Sequence, residues 1–238
     1  MWFAEERSTL FERLAYAFVA VPQVASPDRM DGAIPKISTA TEAGLLAKLF
    51  DQGRAIADYV GRAGTHPVFY TRKLRYFVQF FDFVPEVRAS DGSLREPAEF
   101  KGLEFGTTSD ASVALAALNS TLFFWFLTAY SDCRHVNRRE TLSFPLDIGR
   151  LSRHASSGLV RLGKRLMKDF RHNAVRRTLR FQSDTLTMEV FQPRSSKPII
   201  DEIDRLLAEH YGFTDEELDF IINYDIKYRM GGAEDTDD

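Results

Sequence analysis

The chain has 238 residues, 44% of them hydrophobic and 20 of them phenylalanine, enough to bury a substantial core as one large domain or two small ones. A single cysteine, Cys133, excludes an intrachain disulfide and any multi-cysteine zinc site, and suits a reducing cytoplasm, where the chain is expected to reside; the thiol itself is expected to be buried. The net charge of −3 excludes a uniformly basic protein but conceals a segregation: residues 134–180 hold 13 Lys+Arg and 3 Asp+Glu, whereas residues 181–238 hold 5 and 15.

The opening Met-Trp-Phe-Ala-Glu-Glu-Arg lacks the basic start and apolar run of a secretory signal. Thr9 through Val19 mixes apolar and charged positions and predicts a strand or strand pair, followed by a Pro/Asp/Gly-containing loop over 22–35. Thr39-Ala40-Thr41-Glu42 has capping-box spacing, and Leu45, Leu46, Leu49 and Phe50 continue it at helical period. Ile56, Tyr59 and Val60 predict a second short helical piece ending near Gly61 or Gly64. From Val68 to Val84 the aromatic and β-branched composition predicts strands, with Leu74, Tyr76, Val78 and Phe80 on one face and Phe77, Phe80 and Phe81 in the core. Ser90-Asp91-Gly92-Ser93 reads as a turn, and Pro85 and Pro97 as strand-edge residues.

The apolar stretch 111–130 has the length of a membrane span, but Asn119-Ser120-Thr121 interrupts it. It predicts one helix buried in a globular core and capped by Ser109 or Asp110, with no membrane as partner. Ser156 or Ser157 opens a long helix with Leu159, Leu162, Leu166 and Phe170 on one side. Residues 178–192 alternate as one strand or two. Pro198 lies in the first turn of a helix carrying Ile199, Ile200, Ile203, Leu206 and Leu207 and closed by Gly212; Thr214-Asp215-Glu216-Glu217 starts the last one. The expected fold is α+β, a strand-rich aromatic region packed with helices around the buried helix. Its divisions are a main domain over 1–195, a C-terminal helical segment over 196–231 packed on it, and a disordered acidic tail over 232–238.

Three groups of residues have the chemistry of a nucleic-acid surface. On the outer side of the long helix stand Arg161, Lys164, Arg165, Lys168 and Arg171, in a basic stretch where arginine outnumbers lysine 11 to 2. The guanidinium fork suits phosphate oxygens and the guanine edge. After the buried helix come Arg134, His135, Asn137, Arg138 and Arg139, types that match base edges. Tyr70, Arg72, Lys73 and Arg75 interleave aromatic and basic positions. The plainer alternatives are a solvated helix face, a polar loop held by pairing of Asp132 with an arginine, and core aromatics. Enzyme signatures are weak: Pro27-Asp28 with Glu99-Phe100-Lys101 is a chance-level nuclease pattern, the five histidines have no metal-ligand spacing, and no Gly-x-Ser-x-Gly occurs.

The segment 196–231 runs Ser-Lys-Pro-Ile-Ile-Asp-Glu-Ile-Asp-Arg, then Tyr-Gly-Phe-Thr-Asp-Glu-Glu-Leu, then Ile-Asn-Tyr-Asp-Ile-Lys-Tyr-Arg-Met-Gly. It resembles the C-terminal target-recognition region of the adenine-specific DNA methyltransferases of type II and IIG restriction–modification systems. Tyr70-Thr71-Arg72-Lys73-Leu74, Phe80-Phe81-Asp82-Phe83-Val84-Pro85, the run 116–125, Ser131-Asp132-Cys133-Arg134-His135 and Asn137-Arg138-Arg139-Glu140 extend the resemblance over most of 34–231. It implies that 1–195 is a target-recognition, DNA-binding domain, with double-stranded DNA as partner, together with a methyltransferase catalytic domain in cis or in trans. The nine prolines include no adjacent pair, so the Asn-Pro-Pro-Tyr loop of those enzymes is missing, and no Gly-rich turn follows an apolar strand. The expectation is no cofactor in this chain, S-adenosylmethionine belonging to the missing catalytic domain, and no methyltransferase activity alone. The competing expectation is an interaction module whose helices over 198–228 dock a methyltransferase or restriction subunit without reading bases.

Overall fold

A computed structural model describes residues 30, 32–61, 63–74, 77–97, 100–180 and 185–224. The strand reading for 1–21, most of the loop 22–35, Arg75, Tyr76, Glu99, the end of the last helix towards 228 and the tail 232–238 lie outside the described residues.

The first helix, α1 (Ala40–Phe50), starts at its capping box: Thr39 Oγ1 accepts from the Glu42 amide at 3.2 Å, and Glu42 Oε2 accepts from the Thr39 amide at 3.1 Å. A 3₁₀ turn covers Ile56–Tyr59. β1 (His66–Thr71) is followed by the two-residue β2 (Phe80–Phe81), so 68–84 holds two of the expected strands, with Phe77 and Val78 outside both. Phe77 instead stacks on Phe124 with ring centroids 5.2 Å apart. β3 (Val87–Arg88) and β4 (Leu94–Arg95) form a short hairpin whose turn holds Gly92 at φ +81°, a conformation glycine adopts without a Cβ clash. β5 (Phe100–Phe105) pairs antiparallel with β1 from His66↔Phe105 to Thr71↔Phe100, giving the three-stranded order β2-β1-β5.

The single helix expected over 111–130 is two. α2 (Thr108–Leu118) and α3 (Thr121–Tyr130) meet at 70°. The polar interruption makes the corner. Fully buried Asn119 ends α2 and turns its amide onto β2: Oδ1 accepts from the Phe80 amide at 3.0 Å, and Nδ2 donates to the Phe80 and Leu115 carbonyls, each at 2.9 Å. The side chain thus satisfies the outer edge of β2 as another strand would. Ser120 caps α3 by accepting from the Phe123 amide at 2.9 Å. The cap of α2 is Thr107, not Ser109 or Asp110, because Thr107 Oγ1 accepts from the Asp110 amide. Among the described residues no single helix is long and apolar enough to cross a membrane; the bent pair passes by length and composition, and residues 113–127 are all buried inside the fold.

α4 (Arg138–Ser143) precedes the long α5 (Arg153–His172), which begins at Ser152, four residues before the expected start, since Ser152 Oγ accepts from the Ala155 amide. β6 (Val175–Arg180) and β7 (Thr185–Val190) join the β3–β4 hairpin in a second sheet of order β4-β3-β7-β6. α6 (Lys197–Tyr211) ends at Gly212, φ +67°, and α7 (Asp215–Ile222) opens with the Thr214–Glu217 capping box. The class is α+β.

Alternation in the first sheet gives it one buried face and one partly covered face. Val68, Tyr70, Phe80, Leu103 and Phe105 lie towards α2 and α3, with Phe80 edge-on to Phe123. On the opposite face Phe81 meets Phe83, Phe100, Phe170 and Phe191, which ties α5 and the second sheet to the body. α5 packs on α2 at Gly163, where an added Cβ would stand 3.2 Å from the Ser112 carbonyl oxygen. α6 covers the α2–α3 corner: buried Asp204 accepts from the Thr121 and Leu122 amides at 3.2 and 3.0 Å, meeting donors that the first turn of α3 leaves without helical partners.

Candidate nucleic-acid interface

Two of the three sequence-derived groups meet. Beyond β1 the chain is bonded to the loop after α3: Leu74 N donates to Arg134 O at 3.0 Å, Val136 N donates to Arg72 O at 2.8 Å, and Lys73 and His135 form an antiparallel bridge. The loop is further fixed by Asp132, whose Oδ1 accepts from the Arg134 and His135 amides at 2.9 and 3.0 Å and whose Oδ2 lies 2.8 Å from His135 Nδ1. The His135 hydrogen bond first, and the Arg134 amide next, hold the Asp132 carboxyl down to about 2. The loop is therefore polar and tied, but by His135 rather than by an arginine. Cys133 is exposed, against the expectation of burial: it occupies the left-handed turn, φ +59°, that reverses the chain just after buried Ser131.

On this ridge Arg72, Lys73, Arg134 and Arg138 are exposed, and Asn137 is partly exposed at the start of α4 with no capping bond from its side chain. Arg138 reaches the Gly102 carbonyl at 3.4 Å. Lys101, read in the sequence only as the end of a nuclease-like tripeptide, stands exposed across the β1–β5 ladder from Tyr70 and adds to the same cationic end of the sheet. One residue leaves the candidate set. Tyr70 is 2% exposed and stacks on Phe80, because the even positions of β1 face the core. Arg139 stays exposed but pairs at 2.7 Å with buried Glu140. Arg75 lies outside the described residues.

The third group keeps its helical geometry. Leu159, Leu162, Leu166 and Phe170 of α5 are buried, and Arg161, Lys164, Arg165, Lys168 and Arg171 are exposed on the other side. Their engagement differs. Arg165 pairs with Glu202 of α6 at 2.8 Å; Arg171 pairs with Asp82 at 2.8 Å and lies 4.0 Å over the Phe83 ring. Arg161, Lys164 and Lys168 have no ion pair to any described residue. No described hydrogen bond or bridge joins α5 to the 131–139 ridge, so the basic surfaces form two separate arrays.

Among the described residues no group of three His, Cys, Asp or Glu side chains is arranged to hold a metal ion. No family model, curated protein or solved structure matches the chain.

Proposed function

We propose that this chain is a DNA target-recognition module for an adenine-specific restriction–modification methyltransferase. It grips duplex DNA and presents the target adenine for flipping into a catalytic domain carried elsewhere, in cis or in trans, where S-adenosylmethionine would bind. The carrying observation is the backbone-bonded ridge that holds Arg72, Lys73, Arg134 and Arg138 exposed on a fixed support. Base discrimination needs forks and amides held in register, and arginine and asparagine are the side chains that match guanine and adenine edges. The sequence resemblance, which runs through these residues, supplies the methyltransferase context.

The docking-module alternative draws less support. The apolar side of α6 is buried in the body through Ile199, Ile200, Ile203 and Leu207, and α7 is held to α1 by Lys48 and Glu217 at 2.6 Å. The C-terminal helices thus have structural work within this chain.

Selection from a randomised duplex library tests the reading. The chain is expected to enrich a defined sequence, and Asn137→Ala with Arg138→Ala to relax preference at about one base pair, costing roughly 1–3 kcal/mol there. Failure of the unaltered chain to retain any duplex would overturn the proposal. Uniform weakening at an unchanged preferred sequence would move base reading away from this ridge.

A further inference from the structure

We infer that β6 is a DNA-backbone contact, its open edge lying along the phosphates with arginines reaching from both faces of the strand. The inference rests on the DNA-binding reading and adds an element to it. β6 ends the order β4-β3-β7-β6, so among the described residues one side of its backbone is unpaired, and all six of its residues are exposed. Such a strand adds little to the core: its two apolar side chains, Val175 and Leu179, remain 44% and 37% exposed.

Its charge is equally one-sided. The four strands of this sheet carry five arginines, at 88, 95, 176, 177 and 180, against one acid, Glu189. Ladder register shows which of those on β6 are compensated. Arg176 stands opposite Glu189, but Arg177 stands opposite Met188 and Arg180 opposite Thr185, with no carboxylate across from either. Successive side chains of a strand point to opposite faces, so Arg177 and Arg180 flank the open edge from both sides, an arrangement suited to neighbouring phosphate oxygens. Position strengthens this. Only Asn173 and Ala174 separate α5 from β6, so the stripe of Arg161, Lys164 and Lys168 leads towards the strand, and the one acid between them, Asp169, is half-buried and accepts from Ser196 Oγ at 2.6 Å. Charged edge strands also guard sheets against pairing with other chains, and the experiment separates that role from DNA contact.

Fluorescence anisotropy of the full chain on a short mixed-sequence duplex, over a range of salt, reads the number of phosphates engaged. The double variant Arg177→Ala, Arg180→Ala should lower the slope of log affinity against log salt by about 2, with an unchanged melting temperature. The double lysine variant should restore most of that slope. If the alanine variant keeps the slope while Arg161→Ala, Lys164→Ala, Lys168→Ala lowers it, β6 lies off the DNA and the inference falls alone. If the alanine variant self-associates at unchanged DNA affinity, the arginines guard the edge and the inference is again overturned. If the unaltered chain does not bind the duplex, the DNA reading and this inference fall together.

Discussion

The corner between α2 and α3 and the outer border formed by α5 and β6 use polar side chains in opposite ways. At the corner, Asn119 and Asp204 are almost completely buried and their polar atoms meet backbone groups of β2, α2 and α3. At the border, Arg161, Lys164, Lys168, Arg177 and Arg180 are exposed, without an ion pair to any described residue. A buried polar group answers to the protein's own backbone, since leaving that backbone unmet costs roughly 1–3 kcal/mol per group. An exposed cation contributes little to folding and is available to a partner. Substitutions should therefore divide cleanly, the corner moving stability and the border moving binding.

The largest expected effect is at Asn119. Asn119→Leu keeps the volume but leaves the Phe80 amide and carbonyl without their buried partners, and should cost about 3–5 kcal/mol by urea denaturation. A loss below about 1 kcal/mol would mean that apolar packing alone sets the 70° corner.

Asp204 gives a pH-dependent contrast of similar or smaller size. Burial raises its carboxyl to about 6, while the Leu122 amide and the Thr121 hydroxyl and amide pull the other way. Between the ordinary Asp value, ~3.9, and ~6 the folded state holds a proton that the unfolded state has released. The contribution of this group is therefore most favourable below about pH 4, declines as pH rises to about 6 and is level above, a span of roughly 3 kcal/mol. Asp204→Asn should remove that decline. Denaturation of both proteins at several pH values between 4 and 7 measures the difference, and parallel curves would show that the carboxyl does not titrate in this window.

Much of the architecture was legible because local rules coincide with tertiary need. Thr39 and Thr214 cap where their box spacing places them, Gly212 ends α6, and the two-sided pattern of α5 survives intact. The missed corner has a definite cause: polar groups whose partners are distant in sequence. Asn119 signals an interruption, but its partner Phe80 lies 39 positions away, and Asp204 reaches Thr121 across 83. Neither spacing is visible in a helical or strand period, so one helix was expected where two meet. The candidate site divides the same way. Residue type singled out Arg134, Asn137 and Arg138, but the engagement of Arg139 by buried Glu140 and of Arg171 by Asp82 depends on packing, as does the meeting of residues 72–74 with 134–136.

The smallest expected change in stability is also the sharpest test of the border. Arg161, Lys164 and Lys168 lie along one exposed stripe of α5, while the helix is held by Leu159, Leu162, Leu166 and Phe170 beneath. Alanine is the best helix former, so replacing all three should shift folding by less than about 0.5 kcal/mol per site. Each phosphate that a lysine or arginine neutralises adds about 0.9 to the slope of log affinity against log salt, so the same triple variant should flatten duplex binding by two to three units, roughly. Arg165 serves as the internal control. Its pairing with Glu202 at 2.8 Å already occupies the guanidinium, and Arg165→Ala should change the slope by less than any of the three. Equal losses at all four positions would mean that the Glu202 pair opens when DNA arrives. An unchanged slope in the triple variant would assign this stripe to solvent and leave the 131–139 ridge and β6 as the surfaces to examine for DNA contact.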